Sequence, residues 1–299
     1  MSTQDKKPDA PDEIEKTGHV WDGIEEYNNP LPLWWLWIFY ATIAWALVYT
    51  ILFPAWPMLT QATPGLLGYS SRANVAAEIA EWNERNAPIR ERLVAADLAV
   101  VAAAPAGADR ELLELSAFAR NAGEAIYETS CASCHGPGGA GVLAAGYPNL
   151  LDDDWLWGGD VENIYLTIAH GIRNTTHPET RYSVMPAFGD MLTEEEITQL
   201  VHHTLAISGQ AHDAALAAPG AELYLANCAA CHGDAGEGIR ELGAPPLNDA
   251  IWLYGGSEDA IRYSIVYSRY GVMPGFSDRL SEADLRAVTL FVHGLGGGE

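Results

Sequence analysis

Cys131-Ala-Ser-Cys134-His135 and Cys228-Ala-Ala-Cys231-His232 account for all four cysteines of the 299-residue chain, and no other feature restricts its fold so severely. Two thiols with this gap, followed at once by histidine, are what c-type haem attachment needs. Each cysteine can form a thioether with one haem vinyl group, and the next residue's imidazole is then held under the iron as proximal ligand. No thiol is left over for a disulfide. Paired Cys-x-x-Cys units can also build a four-thiolate zinc site, but zinc accounts neither for the histidine after each pair nor for their matching surroundings. A thioredoxin-like redox pair would need a βαβ frame, and neither motif has one.

Aligning the two motifs sets an offset of 97 residues, which also pairs Tyr127 with Tyr224, Trp155 with Trp252, and Gly158-Gly159 with Gly255-Gly256. The offset then falls to 88, where Met185-Pro186-Ala187-Phe188 meets Met273-Pro274-Gly275-Phe276 and Thr193-x-x-Glu196 meets Ser281-x-x-Asp284. The nine extra residues of the first copy lie around Thr175 to Tyr182. A period near 90 is too long for a solenoid unit and predicts two similar domains in tandem, 116–208 and 209–299.

Each haem needs a second axial ligand. Of five methionines, Met1 and Met58 lie upstream, while Met185 and Met273 share the Met-Pro-x-Phe setting, 50 and 41 residues after the histidine of their own copy. The sequence therefore predicts His135 with Met185 on the first iron and His232 with Met273 on the second. Proline after each methionine keeps its loop out of a helix. The alternative reading makes these methionines core fillers. Met191 has no counterpart and is expected in the core. Among nine histidines, His202 and His203 are placed on the last helix of the first copy, and His170 and His177 in its longer loop region. Any of them could replace Met185; His177 is the nearest rival, because the insertion brings it close to that residue.

Residues 1–32 are polar and acidic and are expected to form a largely disordered tail. Leu33 to Phe53 then gives 21 residues without a charge, ending at Pro54. At about 1.5 Å per residue such a helix spans roughly 30 Å, enough to cross a bilayer. Trp34, Trp35 and Trp37 at one end and Tyr49, Phe53 and Trp56 at the other resemble interfacial belts. The run is longer than a signal-peptide core, follows an acidic tail and lacks a prompt cleavage site, so it reads as an uncleaved anchor. Residues 54–115 read as a helical spacer, with helices over Arg72 to Arg85 and Pro88 to Ala103.

The haem domains read as small helical units. Each motif ends an apolar-periodic helix, and each copy closes on a capped helix beginning at Thr193 or Ser281. About 90 residues make a modest core, which a buried haem would enlarge. An iron with histidine and methionine on opposite faces has no open position, so it passes electrons and does not activate oxygen. The formal charge of -24 makes a nucleic-acid partner improbable and suits attraction of a basic cytochrome c, or simply solubility.

An acidic N-terminal tail, one tryptophan-rich anchor, a helical spacer and two Cys-x-x-Cys-His domains resemble the dihaem subunit, subunit III, of cbb3-type cytochrome c oxidases. His170-Gly171-Ile172-Arg173-Asn174, His177-Pro178-Glu179-Thr180-Arg181 and Met185-Pro186-Ala187-Phe188-Gly189 carry the likeness in the first haem domain. The resemblance implies an all-α chain with one transmembrane helix and two class I cytochrome c-like domains. Two covalent haem c groups would sit on Cys131, Cys134, Cys228 and Cys231. It implies a single-pass protein of the bacterial inner membrane, with residues 1–32 cytoplasmic and the haem domains periplasmic, where c-type cytochromes mature. Implied partners are a haem-copper catalytic subunit, a monohaem cytochrome c subunit and a soluble or membrane-bound cytochrome c donor. The assembly would reduce oxygen to water and pump protons, this chain relaying electrons with no catalytic centre of its own. Rival readings are a dihaem subunit of a periplasmic dehydrogenase or another reductase, and a dihaem peroxidase, which would need an open haem site.

Overall fold

The computed structural model describes residues 15–142 and 145–299, in two compact units that meet between Glu84 and Arg85.

In the first unit, β1 (Lys16–Trp21) and β2 (Ile24–Tyr27) form an antiparallel hairpin with Trp21 opposite Ile24. The turn residues Asp22 and Gly23 both take positive φ, 48° and 86°. A tight two-residue hairpin requires that conformation, and Asp-Gly adopts it readily. This corrects the expectation of a structureless tail over 16–27; the part on residues 1–14 lies outside the described residues. Helix α1 (Leu33–Leu52) buries none of its side chains. Its 20 residues, with a mean hydropathy of 1.7 over an 18-residue stretch, make it long and apolar enough to cross a membrane. A helix apolar on every side and packed on nothing suits a lipid solvent. Its last carbonyls are capped from the following loop, by Leu66 N–H to Ile51 O (2.9 Å) and Leu67 N–H to Leu52 O (3.0 Å).

Helix α2 (Ser71–Ala95) runs through Pro88, where two helices were expected. Proline removes one backbone hydrogen bond and strains the preceding turn. In the second unit, burial of Leu93 against Leu98, Val101, Leu115 and Leu290 offsets that cost. Next come α3 (Leu98–Ala102), α4 (Arg110–Ser130), α5 (Ala132–His135), α6 (Val161–His170), α7 (Glu194–Ile207), α8 (Ala214–Asn227), α9 (Ala229–His232), α10 (Glu258–Tyr267) and α11 (Glu282–His293). The predicted caps are present. Thr193 and Glu196 form a reciprocal capping box, and Ser281 Oγ accepts from Asp284 N–H. Arg90 Nη1 donates to Asp284 Oδ1 at 2.8 Å, tying the end of α2 to α11.

The two cores do not follow the contiguous division 116–208 and 209–299. One core joins Tyr127, Leu150, Ile164 and Ile168 of the first repeat to Phe276, Leu285, Val288 and Val292 of the second. The other joins Tyr224, Ile261 and Ile265 of the second repeat to Phe188, Ile197, Leu200, Val201 and Leu205 of the first. Helix α4 therefore packs on α11, and α8 on α7. Backbone bonds repeat the exchange: Phe188 N–H to Ile265 O (3.0 Å) is mirrored by Phe276 N–H to Ile168 O (3.0 Å). Since α7 and α11 carry equivalent apolar faces, their pattern cannot choose between partners. The short 208–213 connection can, because a few residues between two helices favour antiparallel neighbours.

Equivalent glycines set both crossings. A Cβ on Gly123 would lie 2.2 Å from Ala287 O, and one on Gly220 would lie 2.1 Å from Gln199 O. Gly123→Ala is therefore expected to force α4 from α11 at a cost of about 1–3 kcal/mol. Thermal unfolding followed by circular dichroism should show Tm falling by roughly 3–10 °C. Gly107→Ala, whose Cβ would meet nothing within 4 Å, serves as the control, and an equal fall there would refute the close-packing account.

Candidate functional site

Each motif forms a single helical turn at the end of a long helix. Cys131 closes α4 and Cys228 closes α8, and the motif histidine follows on α5 or α9. Tyr127 Oη donates to Gly136 O at 2.8 Å, and Tyr224 Oη to Gly233 O at 2.9 Å, pinning the turn to the helix before it. The tyrosine four residues ahead of each first cysteine thus has a purpose that its repetition alone did not reveal.

The histidines are oriented from behind. His135 Nδ1–H donates to Pro148 O at 3.1 Å and His232 Nδ1–H to Pro245 O at 2.9 Å. Because a carbonyl can only accept, these bonds fix the tautomer and leave each Nε2 with its lone pair free for a metal. Burial pushes both imidazoles below their ordinary pKa, against the opposing pull of the proline carbonyl. Burial thus favours the neutral imidazole at both positions.

The methionines reach the opposite motifs from those expected. Met185 lines one cavity with Cys228, Cys231 and His232 and packs against the core of Tyr224. Met273 packs with Cys131 against the core of Tyr127. This placement is the reverse of the expected arrangement, which set Met185 with His135 and Met273 with His232. Exchange of the closing helices carries each Met-Pro loop across with it. The receiving half holds the loop: Met273 and Ile172 exchange backbone hydrogen bonds, both 2.9 Å, and Ser268 Oγ donates to Met185 O.

Other expectations also change. Met191 is 65% exposed, not a core residue. His177 Nε2 lies 3.1 Å from Ser277 Oγ and 3.4 Å from His170 Nδ1, so the insertion leads it to the loop after Met273. His202 and His203 do lie on α7; His202 Nδ1 accepts from Asp213 N–H, and the His203 ring packs on Tyr224. The four cysteines do not gather. Among the described residues the one cluster of potential metal-ligand atoms is His170, His177 and Glu179, which removes the four-thiolate zinc reading.

Two arginines that the sequence reading gave no role are related by the offsets. Arg181 donates to Thr167 Oγ1 (2.9 Å), Asn163 Oδ1 (2.5 Å) and Trp157 O (2.9 Å), with its guanidinium over the Trp157 ring. Arg269 donates to Ala260 O (2.6 Å) and Ser264 Oγ (2.8 Å), with its guanidinium over Tyr254. Residues 181 and 269 differ by 88, and 157/254, 163/260 and 167/264 each differ by 97. Beside Arg181, the buried Trp157 Nε1–H has no partner among the described residues.

Two thiols, a neutral imidazole with Nε2 unengaged and a thioether are the donor set haem c uses, brought together wholly for the second motif in an apolar cavity. Arg173 and Arg269 on the wall of that cavity suit a ligand that also carries carboxylates.

Comparison with known proteins agrees. The sequence profile described as cytochrome c oxidase, cbb3-type, subunit III matches residues 119–203 and 215–292, and that of the N-terminal domain of cytochrome oxidase-cbb3, FixP, matches 13–60. The cbb3-type cytochrome c oxidase subunit CcoP of Cereibacter sphaeroides is 55% identical over 97% of both chains. CcoP of Rhodobacter capsulatus is 48% identical over 98% of this chain and 99% of its own. The subunit FixP of Sinorhizobium medicae is 46% identical over the whole of both.

Proposed function

Because the chain belongs to the family of cbb3-type cytochrome c oxidase subunit III, and so serves respiratory electron transport beside other oxidase subunits, we propose that it carries two haem c groups with crossed ligation. The first is held by Cys131, Cys134, His135 and Met273, the second by Cys228, Cys231, His232 and Met185. The observation that carries this reading is the meeting of Met185 with Cys228, Cys231 and His232 around one cavity.

Haem c, when bound, would supply one-electron transfer, its iron held by His135 and Met273 at the first site and by His232 and Met185 at the second. The residues do the rest. Pro148 and Pro245 hold the imidazoles to one tautomer, while Ile172 and Ser268 fix the loops that present the thioethers. Apolar walls around Phe188, Leu200 and Ile265 keep water from the second site. With a histidine and a methionine both assigned to each iron, the reading is a relay rather than a peroxidase.

Helix α1 anchors the chain, with residues before it cytoplasmic and the haem-bearing unit periplasmic, the side on which bacterial c-type cytochromes mature. Electrons pass from a periplasmic cytochrome c through this chain, beside a monohaem cytochrome subunit, to a haem-copper catalytic subunit that reduces oxygen and pumps protons. The charge of -24 favours a basic donor. The test is oxygen uptake, with reduced cytochrome c as donor, by the complex that co-purifies with the chain in mild detergent. Rapid cyanide-sensitive uptake, lost when this subunit is removed, is expected. A complex with no haem-copper subunit and no uptake would return the chain to a dehydrogenase.

A further inference from the structure

Arg173 is the one arginine at the cavity that breaks the repeat. At offset 97 its counterpart is Tyr270, so this position is cationic in only one of the two repeats. It follows α6 of the first repeat, yet its side chain lines the cavity of the second motif, together with Met185, His232 and Tyr254. Its backbone is left-handed, with φ of 51°. A non-glycine residue held there costs free energy, and the surrounding structure must enforce it.

The guanidinium is only partly satisfied. Nε donates to Gly271 O at 2.7 Å and Nη1 to Ser183 O at 3.0 Å, and the group lies 5.9 Å from the Tyr270 ring centroid. Among the described residues no carboxylate pairs with it and no acceptor is recorded for Nη2. In contrast, Arg181 and Arg269 spend their donors on acceptors of their own repeat. Burial lowers the pKa of Arg173, and a partly buried cation without a counter-ion is costly. The chain has 40 acidic against 16 basic residues, so this absence is not for want of carboxylates.

Asp152 and Asp154 line the same cavity. They would repel any further carboxylate brought in, which makes a facing cation more necessary. Haem brings two such carboxylates, its propionates. We propose that Arg173 donates from Nη2 to a propionate of the haem held by Cys228 and Cys231, and that its charge raises the reduction potential of that haem. Arg173 is thus a residue of one repeat that holds and tunes the cofactor of the other, and the assignment rests on the haem reading above. The competing account makes Arg173 a clamp on the Gly271 and Ser183 carbonyls alone.

The test is a redox titration of the detergent-solubilised complex carrying Arg173→Gln or Arg173→Lys. Haem staining and the long-wavelength thioether-to-iron band first establish two haems and two methionine ligations; their absence in the unmodified protein would sink the haem reading itself, separately from this one. A Met273→His background moves the first haem's wave away, so that the second haem's wave is read alone. Loss of the positive charge should stabilise the ferric form. Arg173→Gln is expected to make the second haem about tenfold harder to reduce, the order of one charge-assisted hydrogen bond, or 59 mV for one electron. Arg173→Lys, which keeps the charge, should stay within about threefold of the unmodified protein, less than one such bond. Unchanged potentials in Arg173→Gln, or a shift confined to the first haem, would overturn the proposal. If Arg173→Gln fails to load haem, Arg173→Lys decides: near-normal loading and potential support the charge role, and equal failure shows a clamp.

Discussion

Met185→Ala is expected to abolish methionine ligation at the haem on Cys228 and Cys231 and to leave the haem on Cys131 and Cys134 untouched. The clean form of the experiment uses protein whose first motif is disabled by Cys131→Ala and Cys134→Ala, so that a single haem remains. There, Met185→Ala removes the remaining thioether-to-iron band, whereas Met273→Ala preserves it. The effect on potential should be large, on the order of a tenth of a volt or more, since axial ligation sets haem potentials over roughly 0.8 V. The mirror protein, with Cys228→Ala and Cys231→Ala, should respond only to Met273→Ala. If the responses were reversed, each haem would take its methionine from its own repeat, and the crossing seen around His232 would not describe the holoprotein.

The second large effect tests the exchanged cores directly. Val288 on α11 is 0% exposed and packs with Tyr127, Ile164 and Ile168. Leu200 on α7, its equivalent at offset 88, is 1% exposed and packs with Tyr224 and Ile261. A carboxylate at either place has no partner and costs several kcal/mol, comparable with the whole stability of a domain. Val288→Asp should therefore disrupt the haem on Cys131 and Cys134, although it lies 154 residues from Cys134 in sequence. Leu200→Asp should disrupt the haem on Cys228 and Cys231. Low-spin spectra of the two single-haem proteins report each outcome. Contiguous domains would give the opposite pattern.

These experiments bear on how such a relay is built. Each closing helix packs on the other repeat, and under the proposed crossed ligation neither haem site would be complete without both halves of the chain. Backbone bonds such as Ile172 to Met273 tie each Met-Pro loop to the repeat whose motif it faces, a path between the repeats. Independent tandem domains would lack that path.

What the sequence determined by itself was the chemistry and the inventory of elements. The spacing of Cys131, Cys134 and His135, its recurrence 97 residues later, and the shared Met-Pro-x-Phe setting select haem and its ligand types, because covalent attachment and axial ligation constrain residue type at short range. The anchor and the capped α7 and α11 were equally legible, as they rest on local composition and on spacings of three and four. Even the hairpin at Asp22-Gly23 was within reach of a turn-based reading. Pairing was not. Repeats that resemble one another offer each apolar face two nearly equivalent partners, and only the short loop between α7 and α8, together with close approach at Gly123 and Gly220, breaks the tie. Long-range choices of this kind depend on which surfaces fit in three dimensions. The tertiary structure alone therefore decided that Met185 lines one cavity with His232, that Met273 belongs with the first core, and that Arg173 crosses to the second cavity.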